Sequence, residues 1–165
     1  MSHDTLVLIA ELAVAVAGFS SVIVALESRG VRYWSALQRF NLRVLLQVSA
    51  LAIFFSLFPL ILERLVEPPA SWRWALSVYG LVHLIDVSSF MWRTPPETGH
   101  VHRIFQRIGL LASLASLLVA AFGSLLACEV VYLSVLVWHL AVAAMGFVLL
   151  VFGSSGEDPG ASRRD

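Results

Sequence analysis

The stretch from Leu6 to Leu26, LVLIAELAVAVAGFSSVIVAL, decides the fold class of this chain. It contains one charged residue, Glu11, and about 20 apolar residues are what a helix needs to cross the hydrocarbon core of a bilayer. The stretch therefore predicts a transmembrane helix. The preceding MSHD lacks the cationic region of a cleaved signal peptide, so we interpret this helix as a retained first span.

The composition of the whole chain agrees with a lipid environment. The 165 residues are 59% hydrophobic and 13% charged, and the mean hydropathy is +0.85. Soluble domains are closer to about half apolar and about a quarter charged. The formal net charge is zero, which gives no reason to expect nucleic acid as a partner. Cys128 is the single cysteine, so an internal disulfide and a multi-cysteine metal site are excluded.

Five apolar runs are separated by charged or turn-forming residues. We predict an all-α bundle with transmembrane helices over 5–26, 40–62, 72–91, 108–127 and 130–152, forming one domain, 1–153, with a flexible tail over 154–165. Between Ile108 and Phe152 only Glu129 is charged, yet one helix of that length would be about 68 Å long, more than one bilayer. We expect a reversal between Leu125 and Glu129. The alternative is four spans plus a re-entrant or interfacial helix.

The arginines predict the orientation, because Arg-rich short loops stay cytoplasmic. With the N-terminus outside and the C-terminus inside, every arginine except Arg64 and Arg73 faces the cytoplasm. The first inner loop, SRGVRYWSALQR, has the composition of a short helix in the headgroup layer. All cations are arginine, which suggests a GC-rich bacterial genome and hence a bacterial inner membrane.

Two spans carry ridges of small residues. On the first span, Glu11 shares one side with Gly18 and Ser21, and small side chains recur there at four-residue steps, at Ala17, Ser21 and Ala25. The bulkier side, which includes Ile9 and Phe19, is expected to face lipid. The fourth span has a similar ridge: Ala112, Ser116, Ala120 and Ser124. Since small residues let helices approach closely, we expect both ridges to bind other helices, of the same chain or of another copy.

Titratable residues inside the spans are the candidate functional residues. Tyr79, His83 and Asp86 share one face of the third span, and His139 of the fifth span is expected at the depth of His83. One interpretation is structural, with an Arg43–Asp86 ion pair and two core histidines bonded to serine or backbone oxygens. Another is a proton relay through Glu11, His139, His83 and Asp86. A third, weaker one is haem b held between His83 and His139.

No sequence motif indicates catalysis. The chain contains no HExxH, GxSxG or P-loop pattern and no GxGxxG ahead of a strand. The HVH at His100 to His102 supplies two potential zinc ligands without a third nearby, so we expect no metal site there.

Two functions remain as hypotheses. In the first, a homo-oligomer surrounds a narrow cation or proton path, and Glu11 forms a ring of carboxylates near the outer mouth. In the second, the protein is a non-conducting accessory or scaffold subunit whose small-residue ridges bind a partner membrane protein.

Overall fold

The computed structural model describes residues 2–26, 34–94 and 100–153, and its regular secondary structure there is entirely α-helical. The helices of these residues are α1 (Ser2–Leu26), α2 (Ala36–Leu62), α3 (Pro68–Arg93), α4 (His100–Phe122) and α5 (Leu125–Gly153). Each of the five is long and apolar enough to cross a membrane. This confirms the all-helical prediction and suggests a multi-pass membrane protein. Half of the expected headgroup-layer helix, residues 28–33, and the tail over 154–165 lie outside the described residues.

Three helices begin before their apolar runs, and for α2 and α3 the residues at the start explain why. The Ser35 side chain accepts the Gln38 N–H at 3.1 Å, and the Gln38 side chain accepts the Ser35 N–H at 2.8 Å, a capping box that starts α2. α3 starts at Pro68, where proline fits because the first helical N–H has no partner within the helix. α4 starts at His100. Hydropathy locates the apolar run, whereas capping decides where the helix begins.

The reversal between the last two helices lies at Gly123 and Ser124, ahead of the predicted Leu125 to Glu129. A Cβ at Gly123 would lie 2.6 Å from the Val119 carbonyl oxygen, so the turn requires glycine. The Ser124 hydroxyl accepts the Ala127 N–H at 3.2 Å and caps the start of α5. Glycine followed by a serine cap therefore marks the turn better than the charged residue Glu129 does. Glu129 itself lies within α5.

We distinguish the two ends of the bundle by the helices that begin there. The end where α1, α3 and α5 begin is called the aromatic end. There, His3 Nε2 lies 2.7 Å from Glu63 Oε2, and the Arg73 side chain donates to the Gly123 carbonyl at 2.9 Å. At the arginine end, α2 and α4 begin and α3 ends. α1 packs on α2 and α5 at the edge of the bundle, and α4 packs mainly on α3.

A closely packed core fills the interior near the aromatic end. Its buried residues come from all five helices and include Leu6, Phe55, Trp72, Leu76, Ala120 and Tyr132. Pro59 lies inside α2 and has no N–H to donate to the carbonyl of Phe55, four residues earlier. The Tyr132 hydroxyl donates to that carbonyl at 2.6 Å. A buried acceptor left free by proline is thus satisfied from α5.

Small residues bring α3 and α4 together. A Cβ at Gly80 would lie 2.9 Å from Leu117 Cγ and 3.3 Å from the Ser113 carbonyl oxygen. Of the predicted ridge on α4, Ser116 and Ala120 are buried, Ala112 is half-buried and Ser124 is exposed as the cap of α5. The buried line therefore runs through Ser113, Ser116 and Ala120, rotated from the predicted one.

The small residues of α1 pack differently. Ser21 and Ala25 are exposed, Ala17 is half-buried, and a Cβ at Gly18 would meet nothing within 4 Å. Ile9, expected to face lipid, is buried instead, because bulky side chains fill the space against α2 and α5. Ser21 and Ala25 of the ridge on α1 therefore do not pack within the chain. The expectation that Ile9 faces lipid is wrong, whereas Phe19, predicted on the same side, is exposed as expected of a lipid-facing residue.

Candidate functional site

Four aromatic side chains with polar atoms meet in the interior, and we call them the imidazole cluster: Tyr79, His83, Tyr132 and His139. All four are buried. The Tyr79 ring stacks on His83 with centroids 5.3 Å apart, and the two imidazole centroids are 4.7 Å apart. Tyr79 also meets His139 edge to face at 5.5 Å. The sequence-based expectation that the two histidines lie at one depth agrees with this contact.

His83 is bonded to α4 through a serine. The Ser113 hydroxyl oxygen lies 2.9 Å from the Gly109 carbonyl oxygen and 2.8 Å from His83 Nδ1, so it bridges the helix backbone and the imidazole. A Cβ at Gly109 would lie 3.9 Å from His83 Nε2, so α4 passes close to the ring.

His139 has a similar arrangement within α5. Its Nδ1 lies 3.0 Å from the Val135 carbonyl oxygen, one turn earlier, and 3.2 Å from Tyr79 Oη. Because a carbonyl oxygen can only accept, this contact places the proton on Nδ1. Both histidines thus bond serine or backbone oxygens through Nδ1, as in the structural interpretation.

The contact between the two imidazoles does not fit haem b held between them. Their rings touch, with centroids 4.7 Å apart and planes inclined by 55°. A planar macrocycle cannot lie between two rings that are already in van der Waals contact. Both Nδ1 atoms are also engaged by protein oxygens. These residues therefore do not form a bis-histidine haem site.

Asp86 interacts with α2 through an amide and not through an arginine. The Gln47 side-chain amide donates to Asp86 Oδ1. Among the described residues, no carboxylate lies within ion-pair distance of Arg43, which instead lines a different cavity together with Arg39 and Arg93. The predicted Arg43–Asp86 pair is therefore wrong. Gln47 lies one turn further into the span than Arg43, on the same side of α2, and so reaches the aspartate first.

A cleft of about 80 Å³ leads from the arginine end toward the imidazole cluster. Its walls are mainly apolar and include Phe40, Val48, Val87, Phe105 and Trp138, and its polar groups are Asn41, His83, Asp86, His102 and Gln106. A water molecule needs about 10–15 Å³ of such space and two to four polar partners. The cleft is therefore large enough for a few waters that would connect His83 and Asp86 with the arginine end.

The polar lining of this cleft includes Asn41 and Gln106, which the sequence did not single out, and His102, which it considered only as a potential zinc ligand. His102 Nε2 lies 2.9 Å from Asn41 Oδ1, and the Gln106 amide donates to the Thr94 hydroxyl at 2.6 Å. His100 is exposed, and the described residues contain no group of three His, Cys, Asp or Glu side chains placed to hold a metal ion. Spacing along one helix could not reveal these pairs, because each joins two helices.

Glu11 lies apart from this interior chemistry. Its side chain is exposed on the outer surface of α1, and no described residue forms a hydrogen bond or ion pair with it. Gly18 and Ser21 are exposed on the same helix, and the Ser21 hydroxyl donates to the Ala17 carbonyl at 3.0 Å. The structure thus brings together His83, His139 and Asp86 of the suggested relay, but not Glu11.

Comparison with known proteins finds no family model that matches the chain, no similar curated protein and no similar solved structure.

Proposed function

We propose that this protein is a small multi-pass membrane protein that self-associates through the outer surface of α1 and provides a narrow cation or proton path between its copies. The observation that carries this proposal is the exposed Glu11 on a transmembrane helix, beside the open surface at Gly18. A carboxylate at membrane depth is costly unless it meets water, a cation or another protein chain. Association through α1 would supply such surroundings.

The packing of the interior supports a path between copies over a path through one copy. The cleft reaches the imidazole cluster from the arginine end, but the aromatic end is filled by closely packed residues such as Phe55, Trp72 and Leu76. A continuous water-filled route along the bundle axis would have to cross this core. A route along α1 would instead meet Glu11, Gly18 and Ser21, whose small or acidic side chains permit a narrow pore.

The arginines support an orientation for this assembly. In the proposed topology the arginine end faces the cytoplasm of a bacterial cell, following the preference of arginine for inner loops. Glu11 then lies in the outer half of the membrane, because it follows the start of α1 by about two and a half turns. A ring of such carboxylates would concentrate cations or protons at the outer mouth.

The test is flux of protons and of monovalent cations through the purified protein in liposomes. We expect Glu11→Gln and Glu11→Ala to reduce flux, while Asp86→Asn, a matched change at an interior carboxylate, leaves it close to the parent value. If both Glu11 variants conduct like the parent, the carboxylate ring is wrong. If Asp86→Asn alone abolishes flux, the path runs through the cleft.

Self-association is tested separately from conduction. Gly18→Leu would place a bulky side chain on the proposed contact without a clash inside the chain, since nothing lies within 4 Å of a Cβ there. We expect this variant to remain folded and to lose the oligomer in mild detergent, as measured by light scattering. An unchanged oligomer would show that α1 is not the contact surface.

The second candidate function is a non-conducting accessory or scaffold subunit. It is favoured by the polar groups of the imidazole cluster, which are bonded to serine, tyrosine or backbone oxygens as in a static core. The α1 surface would then bind a different membrane protein. Purification in mild detergent followed by mass spectrometry distinguishes the two, because a stoichiometric foreign partner favours the subunit and a pure homo-oligomer favours the path.

A further inference from the structure

Three arginines from two helices converge on one cavity at the arginine end. Arg39 and Arg43 lie one turn apart in α2, and Arg93 lies in the last turn of α3. With Ala36, Phe40 and Phe90 they line a cavity of about 230 Å³, which we call the arginine pocket. This pocket is separate from the cleft that reaches His83, although the two share the Phe40 and Phe90 walls.

The described residues that line the arginine pocket include three arginines and no carboxylate. The His3–Glu63 ion pair lies at the opposite end of the bundle. Arg39 donates to the Trp34 carbonyl, which uses one of the five N–H groups of its guanidinium. The positive potential of the α2 N-terminus at Ala36 is opposed by the negative potential of the α3 C-terminus at Arg93, so the charge of the pocket comes from its guanidinium groups. An anion would relieve the repulsion among these charges.

The position and the walls of the arginine pocket favour a lipid over a free ion. The pocket lies where the membrane-spanning stretches of α2 and α3 end, at Ala36 and Arg93, which is the level of lipid headgroups. Phe40 and Phe90 meet edge to face at 5.9 Å and give it an apolar wall. Trp92, beside Arg93, is 91% exposed, as is typical of tryptophans at a membrane interface.

We propose that the arginine pocket binds the phosphate of an anionic phospholipid headgroup. Guanidinium groups bind phosphate oxygens in pairs of parallel hydrogen bonds, so three of them can surround one phosphate. A water molecule in the liquid occupies about 30 Å³, so a phosphate and several waters fit in the space available. Basic pockets between transmembrane helices hold headgroups in this way. The acyl chains would extend along the outer surface of α2 and α3.

The experiment measures lipid retention on the full chain in mild detergent by native mass spectrometry. Phosphatidylglycerol and phosphatidylcholine with the same acyl chains are titrated against the parent, Arg43→Gln, Arg93→Gln and the double variant. Arg64→Gln is the matched control, because it removes the same charge from an exposed arginine near the end of α2 at the aromatic end. Each change in the pocket is expected to weaken phosphatidylglycerol binding about fivefold, while Arg64→Gln leaves it unchanged.

Several outcomes would overturn the proposal. Equal binding of the two lipids to the parent would remove the requirement for an anionic headgroup. Equal weakening by Arg64→Gln would indicate a general charge effect. Inorganic phosphate is added in a separate arm, and stoichiometric displacement of the lipid at millimolar concentration would identify free phosphate as the occupant instead.

Variants that fail to fold are replaced by Arg43→Lys and Arg93→Lys, which keep the charge but lose the paired hydrogen bonds. These are expected to bind phosphatidylglycerol more weakly than the parent and more tightly than any folded glutamine variant. Binding of the lysine variants at the parent level would argue against a shaped phosphate site.

Discussion

α1 and α3 are both apolar helices that carry an acidic residue in a membrane-spanning stretch, but the two acidic side chains have different surroundings. α3 turns Asp86 toward α2, where Gln47 donates to it, and places Tyr79 and His83 in the same interior. α1 leaves Glu11 on its outer surface, with no partner among the described residues. Asp86 is thus bonded within one copy, whereas Glu11 would find a partner only in the self-association that we propose.

The same difference appears in the small residues of the two helices. Gly80 of α3 touches Leu117 of α4 and lets these helices approach. Gly18 of α1 touches nothing within 4 Å. Gly80 is therefore part of a helix contact within one copy, whereas Gly18 lies on the open surface to which we assign the proposed contact between copies.

The largest expected effect is the loss of an aromatic side chain from the interior. Tyr79→Ala removes a fully buried ring that contacts His83, His139, Tyr132 and Phe55. We expect the free energy of unfolding to fall by about 3–5 kcal/mol, measured by SDS titration of the protein in mild detergent. Phe122→Ala, at an aromatic residue that is 86% exposed, is the control and is expected to change it by less than about 0.5 kcal/mol.

The second-largest loss of stability is expected from removing the hydrogen bond between Tyr132 and the Phe55 carbonyl, which compensates for Pro59 in α2. Tyr132→Phe leaves the buried Phe55 carbonyl without its donor and is expected to cost about 1–3 kcal/mol. In a Pro59→Ala background the alanine N–H can bond that carbonyl within the helix, so the same change should cost less. A double-mutant cycle measures the difference. Equal costs in the two backgrounds would mean that the tyrosine does not compensate for the proline.

Alanine substitutions at Gly80 and Gly18 compare the packing of α3 with that of α1. Gly80→Ala forces a Cβ to within 2.9 Å of Leu117 Cγ and is expected to lower stability by about 1–3 kcal/mol. Gly18→Ala is expected to raise the stability of the monomer by up to about 1 kcal/mol, because alanine favours the helix and the site is open. Unfolding is measured at a protein-to-detergent ratio that keeps the chain monomeric. A loss of stability for Gly18→Ala under those conditions would contradict an open α1 surface.

The smallest expected effects come from the two acids. Asp86→Ala leaves the Gln47 amide without its acceptor, and because Gln47 is exposed we expect a loss of only about 1 kcal/mol. For the monomer, Glu11→Ala should change the free energy of unfolding by less than about 0.5 kcal/mol. If Glu11→Ala destabilised the monomer more than Asp86→Ala did, the distinction between interior and associating acid would fail.

The sequence predicted those parts of the candidate site in which side chains are spaced three or four residues apart along one helix. The steps from Tyr79 to His83 and Asp86 place these side chains on one face, and that face does point inward. The pairing partners were beyond this kind of prediction. Asp86 was assigned to Arg43 on approximate depth, but depth is known only to about a helical turn, or about 5 Å, and Gln47 lies one turn away. The tyrosine that bonds the carbonyl before Pro59 was not predicted either, although the proline signalled that a donor was needed.

Hydropathy and helical period are properties of successive residues, so residue order alone predicted a helical chain, the approximate positions of the five described helices and an acid within the first of them. The folded bundle was needed to show that α1 turns its acid outward, that two imidazoles touch and that three arginines share a cavity. These facts depend on the rotation of each helix about its axis. That rotation is set by how side chains on different helices fill space together, which residue order within one helix does not specify.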